Sequence, residues 1–358
     1  MKRLLFPVVC CLLVFGAACT KDETRPAATV NGTAIPTQAL VDELDAIAGN
    51  ATYLSALKQN SQSKVEGSTP GSFDISYATQ TLRSQIFYSL VHAEVLRKGL
   101  KADDSCTTAA RNAVEAAVGF SDNATGKTTL AAFPQAYQDT LLQRYTDVLV
   151  LQADLAGQPC VADDAAKNYY YANPGDFEQT CGSLIEVADQ AAADAAEARL
   201  KNGEDFATVA SAVSTDATSA AKGGDFGCLQ KSQLPSDLIP AFFETAIGDV
   251  SAPVAYTTTD SSGSPASHLY IVKPASRKQL ALEDARSQAT ELAATQASNA
   301  LKAFVQQAVG SATITVDPRY GVWNPTTGDI DPPASATASS SDSGASLVSP
   351  DSSSSSSP

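Results

Sequence analysis

Apolar residues recur at helical spacing along most of this chain and alternate with polar ones in only a few short stretches, the pattern of a mainly helical protein with limited sheet. In residues 74–98, Leu82, Ile86, Leu90 and Ala93 return every three or four positions, which predicts one long helix stopped at Gly99. Tyr137, Leu141, Leu142, Tyr145, Val148 and Leu151 mark the buried side of a helix over 135–156, and Ala285, Leu292, Ala293, Leu301, Phe304 and Val305 do the same over 281–309. A shorter helix with Leu40, Leu44 and Ile47 is expected to start at a Thr37 cap and to end at Gly49-Asn50. Asp103-Asp104-Ser105 begins another, running through Val118 to a stop at Gly119, and residues 161–173 form one more. Strand-like residues flank Asn31-Gly32, a two-residue hairpin turn, and residues 313–316 alternate like a short closing strand. Residues 51–73 are rich in Ser, Gly, Gln and Asn and read as a mobile excursion.

Composition changes the picture at both ends. Lys2 and Arg3 precede an apolar run over 4–15, then Gly16-Ala17-Ala18-Cys19 and polar residues. The run is far short of the ~20 residues a bilayer-spanning helix needs, so 1–18 reads as an export signal. The small residues before Cys19 resemble a bacterial lipoprotein processing site, which implies a lipid on Cys19 and a membrane anchor, with 19–27 as a tether; simple cleavage and secretion is the alternative. Residues 334–358 are nearly all Ser, Ala, Asp and Pro and cannot bury enough apolar surface to order, so a disordered tail is expected. The remaining length suits about two domains. A net charge of −15 repels phosphates and argues against nucleic acid as a partner.

Of seven cysteines, Cys10 and Cys11 leave with the signal and Cys19 is the lipid site. Cys106, Cys160, Cys181 and Cys228 remain, and four cysteines in an exported chain permit three pairings that sequence leaves open. Position favours Cys106 with Cys160 and Cys181 with Cys228, each pair within one expected domain. The absence of a Cys-x-x-Cys or Cys/His spacing argues against zinc and thiol redox chemistry. Neither metal nor cofactor is expected.

The residues with most to say about function lie between 203 and 272. Gly203-Glu204-Asp205-Phe206, Ser214-Thr215-Asp216, Gly223-Gly224-Asp225-Phe226-Gly227, Gly248-Asp249-Val250-Ser251-Ala252-Pro253-Val254 and His268-Leu269-Tyr270-Ile271-Val272 follow in order. Together they resemble the PpiC-type parvulin family of peptidyl-prolyl isomerases. The Asn31-Gly32 hairpin leading into helices, the Tyr169-Tyr170-Tyr171 segment before the isomerase region, and the ending at Tyr320-Gly321-Val322-Trp323 resemble SurA-like chaperones. The resemblance implies an α+β fold: a parvulin-type domain over 176–278, with a four-stranded antiparallel sheet and helices, joined to a mostly helical SurA-like chaperone domain over 28–160 with 279–325. Residues 161–175 would be the connecting helix, and the last long helix would pack back on the N-terminal ones.

Turning an X-Pro bond crosses a barrier of ~18–20 kcal/mol without making or breaking a covalent bond. The site therefore needs an apolar pocket for the proline ring and polar groups that favour the twisted amide. The resemblance implies Phe226, Leu234, Leu238 and Phe243 as that pocket, and Asp216 and His268 as polar members of the catalytic set. It puts the family's first-strand histidine on Ser183, a shorter group that both donates and accepts. His92, on the long N-terminal helix, reads as a bystander. Two functions stay open. One is a membrane-anchored extracytoplasmic isomerase that assists folding of exported proteins. The other is a holdase, with weak or no catalysis, that binds unfolded exported clients; the pocket with Asp216 and His268 favours the first and Ser183 the second. The sequence does not fix an oligomeric state.

Overall fold

The computed structural model describes residues 25–333 except 61–63, 70, 121 and 260–264. The expected signal, Cys19 and the 334–358 tail lie outside the described residues. In chain order the elements are β1 (Pro26–Val30), β2 (Thr33–Pro36), α1 (Thr37–Gly49), α2 (Ala51–Asn60), α3 (Ile75–Lys98), α4 (Asp104–Val118), α5 (Asn123–Ala131), α6 (Gln135–Ala156) and α7 (Ala162–Ala172). There follow β3 (Glu178–Val187), α8 (Gln190–Lys201), α9 (Phe206–Val213), α10 (Ala217–Ala220), β4 (Asp225–Gln230), α11 (Ile239–Phe243), β5 (Val254–Thr259), β6 (Pro265–Gln279) and α12 (Leu282–Ser311). The chain closes with β7 (Ile314–Val316), β8 (Val322–Asn324) and β9 (Asp329–Asp331). Two compact units result: Met1–Gln152 with Ala300–Pro358, and Ala153–Asn299.

In the first unit, β1 turns into β2 through Asn31 and Gly32, both at positive φ (51° and 82°), which is why Asn-Gly stands there. β7 pairs antiparallel with the free edge of β1, giving the order β2-β1-β7. Ala27, Ala28, Val30 and Ile35 pack on Leu40 and Leu44 of α1 and on Leu82, Ile86 and Leu90 of α3, the periodic residues of the sequence. Asp74 caps α3 by accepting from Ser76 N and Tyr77 N, and Gly99 ends it in the left-handed conformation. The other expected cap fails. Pro36 supplies the extended residue before α1, so Thr37 is already helical, and its Oγ1 donates to Arg25 O at 2.8 Å.

Two further helices were hidden by composition. The expected excursion holds α2, because Leu54 and Leu57, three residues apart, bury beside Ile47 and Val65 despite their polar neighbours. Leu130 of α5 joins Val114 and Val118 of α4 and Phe133 in a cluster to which Tyr53, Tyr137 and Tyr145 add their rings. Near it Glu43 is buried, held by Arg144 through bonds of 2.7 and 2.8 Å.

The second unit has a four-stranded antiparallel sheet in the order β4-β3-β6-β5. Ile185, Val187, Leu269 and Ile271 point to one face, where Ala193 and Ala196 of α8 and Phe206, Val209 and Ala210 of α9 cover them. Tyr170 of α7 is buried with Ala166, Phe177, Ala285 and Ala289, and its hydroxyl donates to Leu280 O at 2.6 Å. The tyrosine triplet therefore serves packing at Tyr170, while Tyr171 is exposed. Ala308 and Val309, near the end of α12, pack against the first unit's core.

Burial, reinforced by the Glu43 carboxylate, pushes the Tyr77 phenol up to about 12, and burial likewise raises those of Tyr53, Tyr137 and Tyr145. A phenol that holds its proton more tightly when folded stabilises fully below its unfolded pKa of ~10, and that stability is lost as pH rises through the folded value. Resistance to denaturant is expected to hold between pH ~7 and ~9 and to fall steeply above ~10. Tyrosinate absorbance and loss of helical circular dichroism should then appear together; tyrosinate formed with the helices intact would contradict this.

Candidate active site

The β3–β6 ladder fixes what faces what. Leu184 pairs with Val272, Ile185 with Ile271, Glu186 with Tyr270 and Val187 with Leu269. Side chains alternate along a strand, so with Ile185 and Ile271 committed to the helices, Leu184, Glu186, Tyr270, Val272 and His268 share the opposite face. There Leu184 and Val272 are buried with Leu238, Ala241, Phe242 and Phe243, and Phe226 and Leu234 pack on them partly exposed. All four expected pocket residues thus join one apolar cluster. Leu238 and Phe243 are its buried members, and Phe226 and Leu234 keep exposed surface. Phe226 meets Phe242 edge-on with centroids 5.0 Å apart, and Lys231 Nζ lies 5.2 Å from the Phe243 centroid.

Next to this cluster is a polar group. His268 Nδ1 lies 2.6 Å from Glu186 Oε1. Burial first, then the charges of Glu186 and Asp216, push the Tyr270 phenol up to about 12, and Tyr270 also shares a hydrogen bond with Glu186. A phenol so raised keeps its proton at neutral pH and remains a donor.

The motif residues explain how these groups are held. β4 leaves β3 after Ser183, which frees the backbone of Glu186 on that side. Glu186 N donates to Ser214 Oγ at 3.1 Å and Thr215 N donates to Glu186 O at 2.7 Å, so Ser214-Thr215 takes the place of a strand there. Asp216 follows and caps α10, accepting from Thr218 N, Ser219 N and Ser219 Oγ. Gly224, at φ +86°, accepts at its carbonyl from Leu184 N of β3 at 2.8 Å; a Cβ there would stand 2.6 Å from Leu184 O. Ser251 N and Oγ bind Val272 O and N at 2.8 and 2.9 Å, which fixes the Gly248–Val254 motif along β6.

Ser183 is not part of this arrangement. Ser183 pairs with Lys273 two residues before the Ile185–Ile271 pair, so by the alternation of β3 it falls on the face of Ile185. Leu184 and Glu186 are the first-strand residues on the pocket face. The chain's other histidine, His92, belongs to the first unit, where its Nδ1 lies 2.7 Å from Asp147 Oδ2. Glu186, Tyr270 and Leu184 were missed by sequence reading, although His268, Tyr270 and Val272 at spacing two were a usable signal. Cys181 and Cys228 stand opposite each other on β3 and β4 and form a disulfide. Cys106 and Cys160 are each disulfide-bonded as well, and fall in different units.

Residues 161–259 match the PPIC-type PPIASE domain family. The match ends before β6, so His268 lies beyond it. The foldase protein PrsA of Clostridium acetobutylicum is 27% identical over 279 residues, 71% of this chain and 80% of that one. The periplasmic chaperone PpiD of Haemophilus ducreyi is 33% identical over 110 residues, but these span only 18% of its length. A crystal structure of PrsA from Bacillus cereus superposes with a TM-score of 0.41 at 18% identity, covering 80% of this chain and 92% of that one. Fold and matches define a protein with a PpiC-type parvulin domain. The chain is similar to a PrsA foldase over 71% of its length and to PpiD over 30% of it.

Because Ser183 sits behind the sheet, Ser183→Ala is expected to leave proline isomerisation within about twofold of wild type. Glu186→Gln and Tyr270→Phe each remove a charge or donor from the pocket face and are expected to cost about tenfold, the scale of one charge-assisted hydrogen bond. A rate assay with proline tetrapeptides checks all three, and a large loss in Ser183→Ala with Tyr270→Phe unaffected would reverse the assignment.

Proposed function

We propose that the chain is an extracytoplasmic peptidyl-prolyl cis-trans isomerase that assists the folding of exported proteins, held at the membrane through a lipid on Cys19. The observation that carries this reading is the sharing of one sheet face by the apolar cluster of Phe226, Leu234, Leu238 and Phe243 and the polar group of His268, Glu186 and Tyr270. The apolar cluster takes the proline ring. A planar amide owes its stiffness to resonance that puts partial negative charge on the carbonyl oxygen, and twisting returns that charge to nitrogen. Glu186 and Asp216 concentrate negative charge beside the pocket and so disfavour the polarised planar form. His268 and Tyr270 supply hydrogen-bonding groups for the twisted one. No group on the chain needs to become a nucleophile.

The holdase reading is favoured by one fact: the sequence has two histidines, and His92 belongs to the other unit, so one imidazole serves the site. The names of the relatives, a foldase and a periplasmic chaperone, fit either reading. Exported, unfolded or proline-containing chains are the clients in both.

Tetrapeptides varied at the residue before proline separate the two. The enzyme reading expects wild-type rates well above the uncatalysed reaction, and His268→Ala slower by about tenfold to a hundredfold, as for loss of a hydrogen bond to a charged group. Background rates across the whole panel, with aggregation of a denatured client still suppressed, would leave the holdase.

The anchor is tested separately. Among the described residues no helix is long and apolar enough to cross a membrane. Wild type is expected to incorporate labelled lipid and partition into detergent, and Cys19→Ser to lose both. Labelling unchanged in that variant would end the lipoprotein assignment.

A further inference from the structure

The isomerase reading fixes which residue of a bound chain lies over the polar group. The amide that turns is the one before proline, and its carbonyl belongs to the preceding residue. With the proline ring in the apolar cluster of Phe226, Leu234, Leu238 and Phe243, that carbonyl and the residue that carries it stand at His268, Glu186 and Tyr270. The side chain before proline therefore meets whatever charge this end of the face presents.

That charge is negative. Glu186, largely buried, lies against His268 and shares a hydrogen bond with Tyr270. Asp216 is half-buried at the start of α10, where it accepts from Thr218 N, Ser219 N and Ser219 Oγ. These donors are neutral and leave its charge in place. Beyond burial, the charges that raise the Tyr270 phenol are those of Glu186 and Asp216, so both carboxylates act at the same point. Among the described residues neither is paired with a lysine or an arginine. A proton on His268 would neutralise Glu186 and still leave Asp216.

The cations of the same sheet are placed elsewhere. Lys273, paired with Ser183, falls on the opposite face with Ile185. Lys231 lies over the Phe243 ring and follows Gln230, which stands opposite Gln179. About 20 Å of strand separate Gln179 from Glu186, more than twice the Debye length of roughly 8 Å at physiological salt. Tyr256 of β5 stands opposite His268, half-buried, and gives the aliphatic stem of a long side chain an apolar support.

We infer that the site selects a lysine or arginine immediately before the proline. The inference rests on the isomerase reading for the seat of the proline ring, and on Glu186 and Asp216 for the sign of the charge. An acidic residue at that place meets like charge. A Lys or Arg side chain has the reach to lay its stem on Tyr256 and bring its cation to the carboxylates.

The test uses the full chain and fluorescent tetrapeptides that differ only in the residue before proline: Lys, Arg, Gln or Glu. Isomerisation rates and, separately, binding by anisotropy are read at low and high salt. Both kcat/KM and affinity are expected to be at least tenfold higher for Lys and Arg than for Glu, with Gln between, and the gap should narrow as salt screens the carboxylates. Asp216→Asn, which keeps an acceptor for the α10 cap, and Glu186→Gln are each expected to shrink the Lys-to-Glu ratio about threefold. The double variant should bring it near one with circular dichroism unchanged; if it fails to fold, the single variants decide. The ratio is taken within each variant, so a general loss of rate in Glu186→Gln does not enter it.

Turnover at equal rates for the Lys, Gln and Glu peptides would overturn the inference and leave the isomerase. A Lys-to-Glu ratio unchanged in both single variants would overturn it as well. No turnover of any peptide, with Lys still bound tenfold more tightly than Glu, would end the isomerase reading and leave the charge preference standing. No turnover together with equal binding would end both.

Discussion

The antiparallel ladder between β3 and β6 is the constraint on which the second unit depends. It pairs Glu178 with Gln279 at one end and Val187 with Leu269 at the other, and a shift by one residue would exchange the two faces. Ile185 and Ile271 would then leave the helices, and Glu186, Tyr270 and His268 would enter the packed side. The apolar contacts of α8 and α9 thus enforce the orientation of the polar group, although they touch none of it. The Gly-Gly turn and the Ser214 and Ser251 motifs anchor the surrounding loops to the same two strands.

The first unit is organised around a different kind of contact. Glu43 is buried with Arg144, Gln85 and Tyr137 converging on its carboxylate. Loss of one partner from a buried pair typically costs ~3–5 kcal/mol, because the other charge stays desolvated.

Much of the fold was legible because long periodic segments and fixed turn chemistry agree. Leu82, Ile86 and Leu90 gave α3, Asp74 and Gly99 mark its ends, and Asn31-Gly32 gave the first hairpin. α2 was not legible, since two leucines among Ser, Gln and Asn carry a weak signal that only Ile47 and Val65 complete. For the site, the apolar half was readable from motif order. For the polar half the register was not legible: β4 and β6 each carry one extra residue, Phe226 and Ala275, opposite this part of β3, and bulges leave little trace in sequence. The spacing of Gly182 and Ser183 does not reveal on which face Ser183 falls.

The pairing of β1 with β7 has a consequence for the order of assembly. Thr29 and Thr315 share a hydroxyl contact of 2.5 Å across 286 positions of sequence, and everything between Ala153 and Asn299 belongs to the other unit. The inserted unit closes on contacts local to itself. The outer one must wait for Ile314–Val316 before its sheet gains a third strand. Until then β1 keeps an unpaired edge, and Ala28 and Val30 lack the cover of Ala308 and Val309. A chain emerging from N to C terminus therefore finishes its isomerase unit first. Its helical unit spends the interval as an incomplete fold, with the same exposed apolar surface as the clients proposed for it.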